Sequence, residues 1–289
     1  MAGNFTDEGR VQLADYYFRA ATLPTNYYLA LITNAVACDN DTNTLGELTQ
    51  ISDGGYTTNG LAVTPATEFD NLTEGSSTAS IQITDQQWTA TTSIAPAQAV
   101  LTDDNVTPAS RKVLAYFDVS GTASAGQTYT IVDAQININF DSGQFTDKGM
   151  YEILNYCFEG AAAPTQLYVA LIRSAVAPAV GINTLSELTQ ISTATGYSDG
   201  GYTLNRDNTD FDSLVDGTTQ AELQIKDLVW TASGGNLDSG AGARYAVITG
   251  YHVTPGSRSV LAWWDLTTDR NVTDGNTFTL ANLEMQFTV

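Results

Sequence analysis

The 289-residue sequence predicts a mainly-β protein made of two tandem homologous β-sandwich (jelly-roll-like) domains, each beginning with a short helix. Three observations support this prediction. The second half of the chain repeats the first, and short β-prone runs separated by turn residues fill most of each half. The composition is also poor in charged residues and rich in threonine, asparagine, serine and glycine, which favours strands and turns over long surface helices.

The internal repeat is visible by direct alignment. Residues 5–33 match residues 145–173 with 13 identities in 29 positions. Two later blocks match with eight identities in nine and nine in fourteen, namely 44–52 with 184–192 and 106–119 with 253–266. A period of about 145 residues is the size of a whole domain rather than of a solenoid unit. We therefore predict domains at 1–144 and 145–289, packed closely because the join is too short for a flexible tether.

Each half is predicted to open with a helix. Thr6 and Thr146 are N-cap candidates, and an aspartate follows each of them in the first turn, where a carboxylate favours the helix dipole. An apolar stripe follows in the first half, and a looser one follows in the second. The first stripe consists of Val11, Ala14, Tyr17, Phe18 and Ala21. Pro24 and Pro164 are expected to bound the helices on their far side.

Seven or eight strands are predicted after each helix. The runs at 27–33 and 167–173 are continuously apolar, as strands buried on both faces are. The runs at 80–84, 220–225 and 137–140 alternate between apolar and polar residues, as half-buried strands do. The other predicted strands lie at 113–119, 128–131, 260–266 and 277–280.

The charge balance excludes several classes of function. Eleven basic residues against 32 acidic ones give a net charge of −21. A field of that sign repels phosphate backbones and anionic lipid surfaces, so neither nucleic acid nor a membrane is expected as a partner. The first residues also lack the basic and apolar regions of a signal peptide. Cys38 and Cys157 are expected to be free thiols in a chain made in a reducing cytoplasm.

No catalytic or cofactor site is predicted, and we expect the protein not to be an enzyme. Residues 196–200 fit the Gly-x-Ser-x-Gly elbow of hydrolases, which needs a helix after the serine and a histidine base later in the chain. The glycines that follow do not open a stable helix, and the serine lies in an insertion that the first half lacks. His252 is the only histidine, and it replaces Asn105 in a loop where exposure is expected.

No metal site is predicted either. The acidic run at 39–43 lacks the glycine and the glutamate of a calcium loop. The acidic clusters at 207–212 and 265–274 leave a structural Ca²⁺ open as an alternative to a solvated loop. One histidine and two unpaired cysteines do not supply a zinc site.

Four matched polar residues are predicted to form an interface. Glu47 and Glu187 occupy the same place in a Leu-x-Glu-Leu-Thr-Gln-Ile-Ser block. A repeated hydrogen bond or contact fits them better than acid–base chemistry, because each half has only one of these glutamates and no second carboxylate is fixed near it in sequence. Tyr56 and Tyr202 each follow a Gly-Gly pair, with a six-residue insertion before the second pair. These tyrosines either pack across their own hairpins or stack on a sugar or dock on a partner.

Together these motifs resemble small β-sandwich virion proteins of tailed bacteriophages. The matching features are Phe-Thr-Asp-x-Gly, Pro-Thr-x-x-Tyr-x-Ala-Leu-Ile, the Leu-x-Glu-Leu-Thr-Gln-Ile-Ser block with its Gly-Gly-Tyr, and a late Val-Leu-Ala-aromatic-aromatic-Asp with Gly-x-Thr-aromatic-Thr. Such proteins include capsid decoration (cement) proteins and tail-fibre-like proteins. The resemblance covers both halves nearly end to end, and the tandem fusion departs from the single-copy form.

The resemblance implies a structural virion protein, in particular a capsid decoration protein whose two domains bridge and stabilise neighbouring coat subunits. Its partners would be the major capsid protein or other virion proteins, with self-association on the outer surface of the particle after synthesis in the host cytoplasm. The alternative is a tail-fibre or baseplate-associated module that binds host surface glycans. The negative charge suits a position facing away from packaged DNA, and two linked binding domains raise the effective concentration of the second.

Overall fold

The computed structural model describes residues 2–52, 54–140, 144–217, 220–238 and 241–288. Over these ranges the protein is mainly β with two α-helices, and its largest sheet is curled. We refer to the residues before the join as the first half and to those after it as the second half. Neither helix in the described ranges combines the length and the apolar character needed to cross a membrane.

Both halves contain one helix and a series of short strands. The first half contains α1 (Asp7–Phe18) and, in the described ranges, β1 (Ala2–Phe5), β2 (Tyr27–Ile32), β3 (Leu61–Val63), β4 (Phe69–Glu74), β5 (Ala79–Ile83), β6 (Gln86–Thr89), β7 (Ser93–Ile94), β8 (Gln98–Thr102), β9 (Val113–Asp118), β10 (Ala123–Ser124), β11 (Thr128–Ile131) and β12 (Ala134–Ile138). The second half contains α2 (Asp147–Phe158), β13 (Leu167–Ile172), β14 (Tyr202–Leu204), β15 (Ser213–Asp216), β16 (Gln220–Ile225), β17 (Leu228–Thr231), β18 (Ala243–Thr249), β19 (Val260–Arg270), β20 (Thr277–Leu280) and β21 (Leu283–Thr288). Seven or eight strands per half is therefore an underestimate, because strands of two to four residues are too short to show an alternating pattern.

The largest sheet belongs to the first half and has the order β3-β2-β8-β9-β1-β12-β5-β4. Strand β1 lies inside this sheet, antiparallel to β9 and parallel to β12. The corresponding strands of the second half form two sheets, β14-β13-β18-β19 and β15-β16-β21. Phe145 makes a single bridge to Ala262 of β19, and the Trp264 Nε1 donates to the Glu284 carbonyl at 2.8 Å, which connects these two sheets.

The predicted N-caps of both helices are confirmed. Thr6 Oγ1 accepts a hydrogen bond from the Gly9 amide at 2.9 Å, and Thr146 Oγ1 accepts one from the Gly149 amide at 2.8 Å. Each hydroxyl also donates to the carbonyl of the first residue of the neighbouring strand, β9 or β19. The cap residue therefore both starts its helix and fixes it to the sheet.

Both helices end earlier than the prolines predict. They stop at Phe18 and Phe158, and the chain then turns through Ala20 and Gly160 with φ of +55° and +70°. A left-handed residue at this point prevents a further helical turn. The apolar stripe is also shorter than expected, because Val11 is only partly buried.

The strands predicted to be buried on both faces are confirmed. One face of β2 joins the main core through Leu29 and Leu31, while Ala30 and Ile32 on its other face contact the segment that includes Cys38. The second half repeats this arrangement at β13. A continuous apolar run is what such a doubly covered strand requires. In the described part of the chain both cysteines are buried free thiols.

The main core crosses the predicted domain boundary. Helix α1 packs on β1 and β9 of its own half and also on β15, β16 and β21, while α2 packs on β19 and also on β4 and β5. The Phe18 ring lies 5.5 Å from that of Phe211, and the Phe158 ring lies 5.0 Å from that of Phe69. Each half therefore buries the end of the other half's helix, and the boundary between 144 and 145 stays a prediction.

Candidate functional site

The two matched glutamates stabilise a turn within each half. Glu47 Oε1 accepts hydrogen bonds from the Thr44 amide at 2.8 Å and from its hydroxyl at 2.9 Å. Glu187 accepts the same pair from Thr184, at 2.7 and 3.1 Å. Each glutamate closes a capping box around a short 3₁₀ turn, at 45–47 or 185–187. The repeated hydrogen-bonding role expected for these carboxylates is confirmed, and their predicted contact with a partner stays a prediction.

Tyr56 lies inside the first half rather than on its surface. Its side chain is only 7% exposed, and its hydroxyl accepts from the Leu31 amide at 3.1 Å and donates to Gln50 Oε1 at 2.9 Å. The ring packs near Trp88, with 6.4 Å between centroids. Of the two roles left open for Tyr56, packing within its own half is the one observed. It offers no ring face for stacking on a sugar.

The structural counterpart of Tyr56 is Tyr197, and the predicted pairing with Tyr202 is wrong. The Tyr197 hydroxyl accepts from the Leu171 amide at 3.2 Å and donates to Gln190 Oε1 at 2.7 Å, which are the partners that correspond to those of Tyr56. Tyr202 instead begins β14, at the place where Leu61 begins β3. The insertion before this point is therefore one residue, and the second Gly-Gly-Tyr resembles the first without occupying its position.

Tyr202 is half-buried and packs on the core of the second half. Its ring meets the Trp230 ring edge-on at 5.8 Å, and Lys226 Nζ lies 5.5 Å from its centroid. Lys226 is paired with Asp210. The predicted four-residue interface is therefore not a continuous set of free side chains: two glutamates bind their own turns and both tyrosines pack inward.

The hydrolase-like pattern does not form an elbow. The Ser198 carbonyl accepts from the Gly201 amide at 2.9 Å, and the chain then enters strand β14 rather than a helix. His252 is exposed, as expected, and its Nδ1 accepts from the Thr254 amide at 3.0 Å. Asn105 Oδ1 accepts from the Thr107 amide at the same distance, so histidine and asparagine have the same role in the two loops.

No group of three histidine, cysteine, aspartate or glutamate side chains comes together as a metal site among the described residues. Two of the acidic clusters instead supply ion pairs within the chain. Asp210 pairs with Lys226, and Asp265 pairs with Arg244 at 2.8 Å. These carboxylates are already partnered by cations of the protein itself.

The most exposed large apolar residues of the described chain occupy matched loops. Val106 is 93% exposed and Val253 is 79% exposed, and each is followed by Thr-Pro and a short 3₁₀ turn. We call residues 103–112 and 250–259 the Val-Thr-Pro loops. They join β8 to β9 and β18 to β19. Their exposure is larger than that of the other large apolar side chains that the structure describes, and it recurs at the same place in both halves.

Each Val-Thr-Pro loop contains a buried arginine that contacts other parts of the same half. The Arg111 guanidinium stacks over the Tyr28 ring at 3.5 Å and donates to the Asn59 carbonyl at 2.8 Å. Arg258 stacks over Tyr168 at 3.4 Å and donates to the Gly200 carbonyl, also at 2.8 Å. Burial lowers the pKa of the Arg258 guanidinium from its usual value. Each loop is thus connected through its arginine to other parts of its own half, while its valine is exposed to solvent.

The sequence contained a signal for these loops that the predicted interface did not use. Val-Thr-Pro is identical in the two halves, whereas the three residues before it differ completely: they are Asp-Asp-Asn at 103–105 and Gly-Tyr-His at 250–252. The valine is therefore retained, and exposed, at the same place in both loops although the residues before it differ. The two arginines are also identical in the alignment, but their burial depends on contacts distant in sequence.

Removal of the Tyr56 hydroxyl should alter the response of stability to alkaline pH. Burial raises the pKa of Tyr56 to about 12 from 10.0, so the unfolded chain releases this proton first as the pH rises. The contribution of Tyr56 to stability is complete below pH 10 and is lost between about pH 10 and 12, with a slope of up to about 1.4 kcal/mol per pH unit. In Tyr56→Phe the fall in unfolding free energy over this range should be shallower by up to that amount. Urea titrations at several pH values measure it, and parallel curves for the two proteins would contradict it.

Comparison with protein-family models, curated proteins and solved structures finds no match to this chain.

Proposed function

We propose that this chain is a structural virion protein of a tailed bacteriophage, most specifically a capsid decoration protein. In this proposal two tandem homologous β-sandwich domains each bind one coat subunit through a Val-Thr-Pro loop, and the chain bridges the two subunits. It lies on the outer surface of the particle and contacts the major capsid protein and further copies of itself. The motif resemblance supports the virion setting, and the matched valines support the mode of binding.

The observation that supports this proposal most directly is the pair of exposed valines. A single exposed apolar residue is ordinary, but Val106 and Val253 are the two largest exposures among the large apolar side chains that the structure describes. Because they project from equivalent loops with matched arginine–tyrosine contacts, they suit a partner that offers the same apolar recess twice. A surface built from many copies of one subunit has that property.

Electrostatics is consistent with the same proposal. A net charge of −21 disfavours contact with packaged DNA and keeps many identical chains soluble before assembly. Linking two binding loops in one chain raises overall affinity by a factor of about 10²–10⁴ when both bind at once. This increase requires no additional contact area, which suits loops that each present one apolar side chain.

The alternative is a glycan-binding tail module, and the tyrosines on which it was based make contacts within their own halves. Tyr56 is buried, and the half-buried Tyr202 packs against Trp230. Tyr251 is 49% exposed but already stacks on Tyr168 at 6.5 Å. No feature of the described residues favours this function over the first.

Counting copies on purified particles tests the proposed function. If the chain decorates the head, its copy number should scale with that of the coat protein. A count of about six or twelve would match the symmetry of tail structures and would contradict head decoration. Quantitative mass spectrometry with labelled peptides from this chain and from the coat protein gives the ratio.

Charged substitutions in the loops should abolish binding to particles without unfolding the protein. Val106→Asp or Val253→Asp alone should weaken binding by about 10²–10⁴-fold, because each removes one of two linked contacts, and the double variant should not bind measurably. Rebinding to particles that lack the chain measures this effect. The control is Val132→Asp with Val229→Asp, two valines that are 47% and 46% exposed outside the loops. Equal binding by the loop variants and the control would refute the loop mechanism.

A further inference from the structure

The contacts between the two halves are reciprocal. Helix α1 packs on β15 and β16 of the second half, and α2 packs on β4 and β5 of the first half. In each half these two strands follow one another along the chain and pair antiparallel, β4 with β5 and β15 with β16. The Phe-Asp pair that begins β4 at 69–70 returns at 211–212, directly before β15. Each helix therefore packs on the corresponding strand pair of the opposite half.

The phenylalanines at the ends of the helices show the same exchange. Phe18 and Phe158 correspond at the offset of 140 residues, and both are fully buried. The Phe18 ring lies 5.5 Å from that of Phe211, and the Phe158 ring lies 5.0 Å from that of Phe69. Phe69 and Phe211 are the phenylalanines of the matched Phe-Asp pairs. One contact therefore occurs twice, with the roles of the two halves exchanged.

Corresponding backbone atoms are also bound from the opposite half. Tyr17 of α1 and Cys157 of α2 lie at the same offset of 140 residues. The Tyr17 carbonyl accepts a hydrogen bond from Arg206 Nε at 2.5 Å, and the Cys157 carbonyl accepts one from the Tyr27 hydroxyl at 2.7 Å. The donor side chains differ, but each belongs to the half opposite its acceptor. The geometry is therefore repeated even where the residue type is not.

Reciprocal contacts of this kind define a two-fold relationship. When a first element of each unit contacts a second element of the other unit, a half-turn exchanges the two units, whereas a head-to-tail arrangement gives each unit different neighbours. The two helices also contact each other, and the Tyr17 and Tyr156 rings lie 5.7 Å apart. Corresponding elements that contact each other lie on either side of the axis. The chain therefore has an approximate two-fold axis that passes between α1 and α2.

Both Val-Thr-Pro loops lie close to the boundary between the halves. In the second half, Tyr251 of the loop lines a cleft together with Tyr17 of α1. In the first half, Asp104 of the loop accepts from the Thr25 amide at 2.7 Å, two residues before Tyr27, which binds α2. A half-turn leaves the position of an atom along the axis unchanged. The two loops therefore lie at the same height along the approximate axis.

We propose that the chain binds two identical apolar recesses that are themselves related by a two-fold axis, so that its own axis coincides with a local two-fold axis between two coat subunits. This inference rests on the proposed function and adds the symmetry of the binding site to it. Val106 and Val253 make the same contact at once only if the rotation that relates the recesses is the one that relates the loops. Recesses related by a three-fold or six-fold rotation would match one loop and miss the other, and the gain in affinity from linkage would be lost.

Electron cryomicroscopy of purified particles tests this placement. We expect the chain to lie across a local two-fold axis, with both Val-Thr-Pro loops against the same coat residues and about one chain for two coat subunits at saturation. A chain centred on a three-fold or six-fold axis, or loops that contact different coat residues, would overturn this inference and leave head decoration standing. A chain absent from the head would refute the proposed function, and this inference with it.

Small substitutions in the two loops give a second test. Val106→Ala and Val253→Ala each remove two methyl groups from an exposed side chain, so the fold is kept, and each should weaken rebinding to particles that lack the chain by about tenfold. The two losses should agree within about threefold because the contacts are equivalent. Val132→Ala, at a valine that is 47% exposed outside the loops, is the control and should leave the affinity unchanged. A loss confined to one of the two loop variants would overturn the two-fold site.

Discussion

Replacing Phe158 with alanine is expected to lower the free energy of unfolding by about 3–5 kcal/mol, the usual cost of removing a buried phenylalanine. Phe158 is fully buried at the end of α2, and its ring lies 5.0 Å from both Tyr27 and Phe69. Both partners belong to the first half, so the cavity would open between the halves. A loss of this size is a large fraction of the 5–15 kcal/mol that stabilises a typical domain.

The same substitution should also show whether the halves unfold together. The carbonyls at the end of α2 are bound by the first half: Cys157 accepts from the Tyr27 hydroxyl at 2.7 Å, and Phe158 accepts from the Ala66 amide at 3.0 Å. The aromatic contacts and these hydrogen bonds all connect the two halves. We therefore expect Phe158→Ala to unfold in one transition, shifted as a whole to lower denaturant concentration.

Phe18→Ala is the reciprocal variant. Phe18 is fully buried among Phe211 and Phe287 of the second half, and Arg206 donates to the Tyr16 and Tyr17 carbonyls at 2.6 and 2.5 Å. The Phe18→Ala variant should therefore lower the unfolding free energy by a similar amount. Hydrogen exchange follows β5 separately from β16 during denaturation. If Phe158→Ala released the amides of one half while those of the other kept their wild-type protection, the shared core would not be a cooperative unit.

Local sequence patterns predicted the parts of the fold whose causes are local. The caps at Thr6 and Thr146 need only a hydroxyl and the amide three residues later. The continuous run of β2 and the alternation of β5 follow from which strand faces are covered. Each of these features is set by neighbours in sequence or by simple periodicity.

The parts that could not be predicted depend on distant contacts. The sequence of β1 does not alternate between apolar and polar residues. It forms a strand because it lies between β9 and β12 and pairs with both of them. The burial of Arg10 follows from the packing of α1 on the second half as well as on its own sheet. The ends of the helices are likewise fixed by residues of the opposite half rather than by the prolines after them.

The pairing of Tyr56 with Tyr202 was wrong for a related reason. The Gly-Gly-Tyr sequence shared by both halves led to Tyr202 as the counterpart of Tyr56. The hydrogen bonds to corresponding backbone and glutamine atoms instead identify Tyr197. Identity between the halves marks residues that the fold needs as well as residues that a partner needs. Exposure helps to separate the two classes, and the exposure of Val106 and Val253 is the observation on which our proposal for them depends.

Replacing Gly9 or Gly149 with alanine should destabilise the protein, although alanine is the better helix former. On propensity alone, alanine in place of glycine inside a helix adds about 1 kcal/mol. A Cβ on Gly9, however, would lie 2.0 Å from the Leu114 carbonyl oxygen, and one on Gly149 would lie 2.1 Å from that of Leu261. Both oxygens belong to the backbone of strands in the sheet, so neither can move without disturbing strand pairing.

The steric cost therefore exceeds the gain in helix propensity. Overpacking a well-filled site costs about 1–3 kcal/mol, and more when backbone must shift, so each variant should lose at least about 1–3 kcal/mol of unfolding free energy. The displaced helix start would also weaken the hydrogen bond from each glycine amide to its threonine cap, at Thr6 or Thr146. Denaturant unfolding of both variants measures the loss.

Gly181→Ala is the matched control for these two variants. Gly181 is exposed in a turn, and a Cβ there meets no described atom within 4 Å, so its unfolding free energy should change by less than about 0.5 kcal/mol. A stabilised Gly9→Ala would mean that α1 lies farther from β9 than the structure places it. Equal losses in Gly9→Ala and Gly149→Ala would show that the two halves use the same close approach of helix to strand, because the two sites share no residue and only the geometry is repeated.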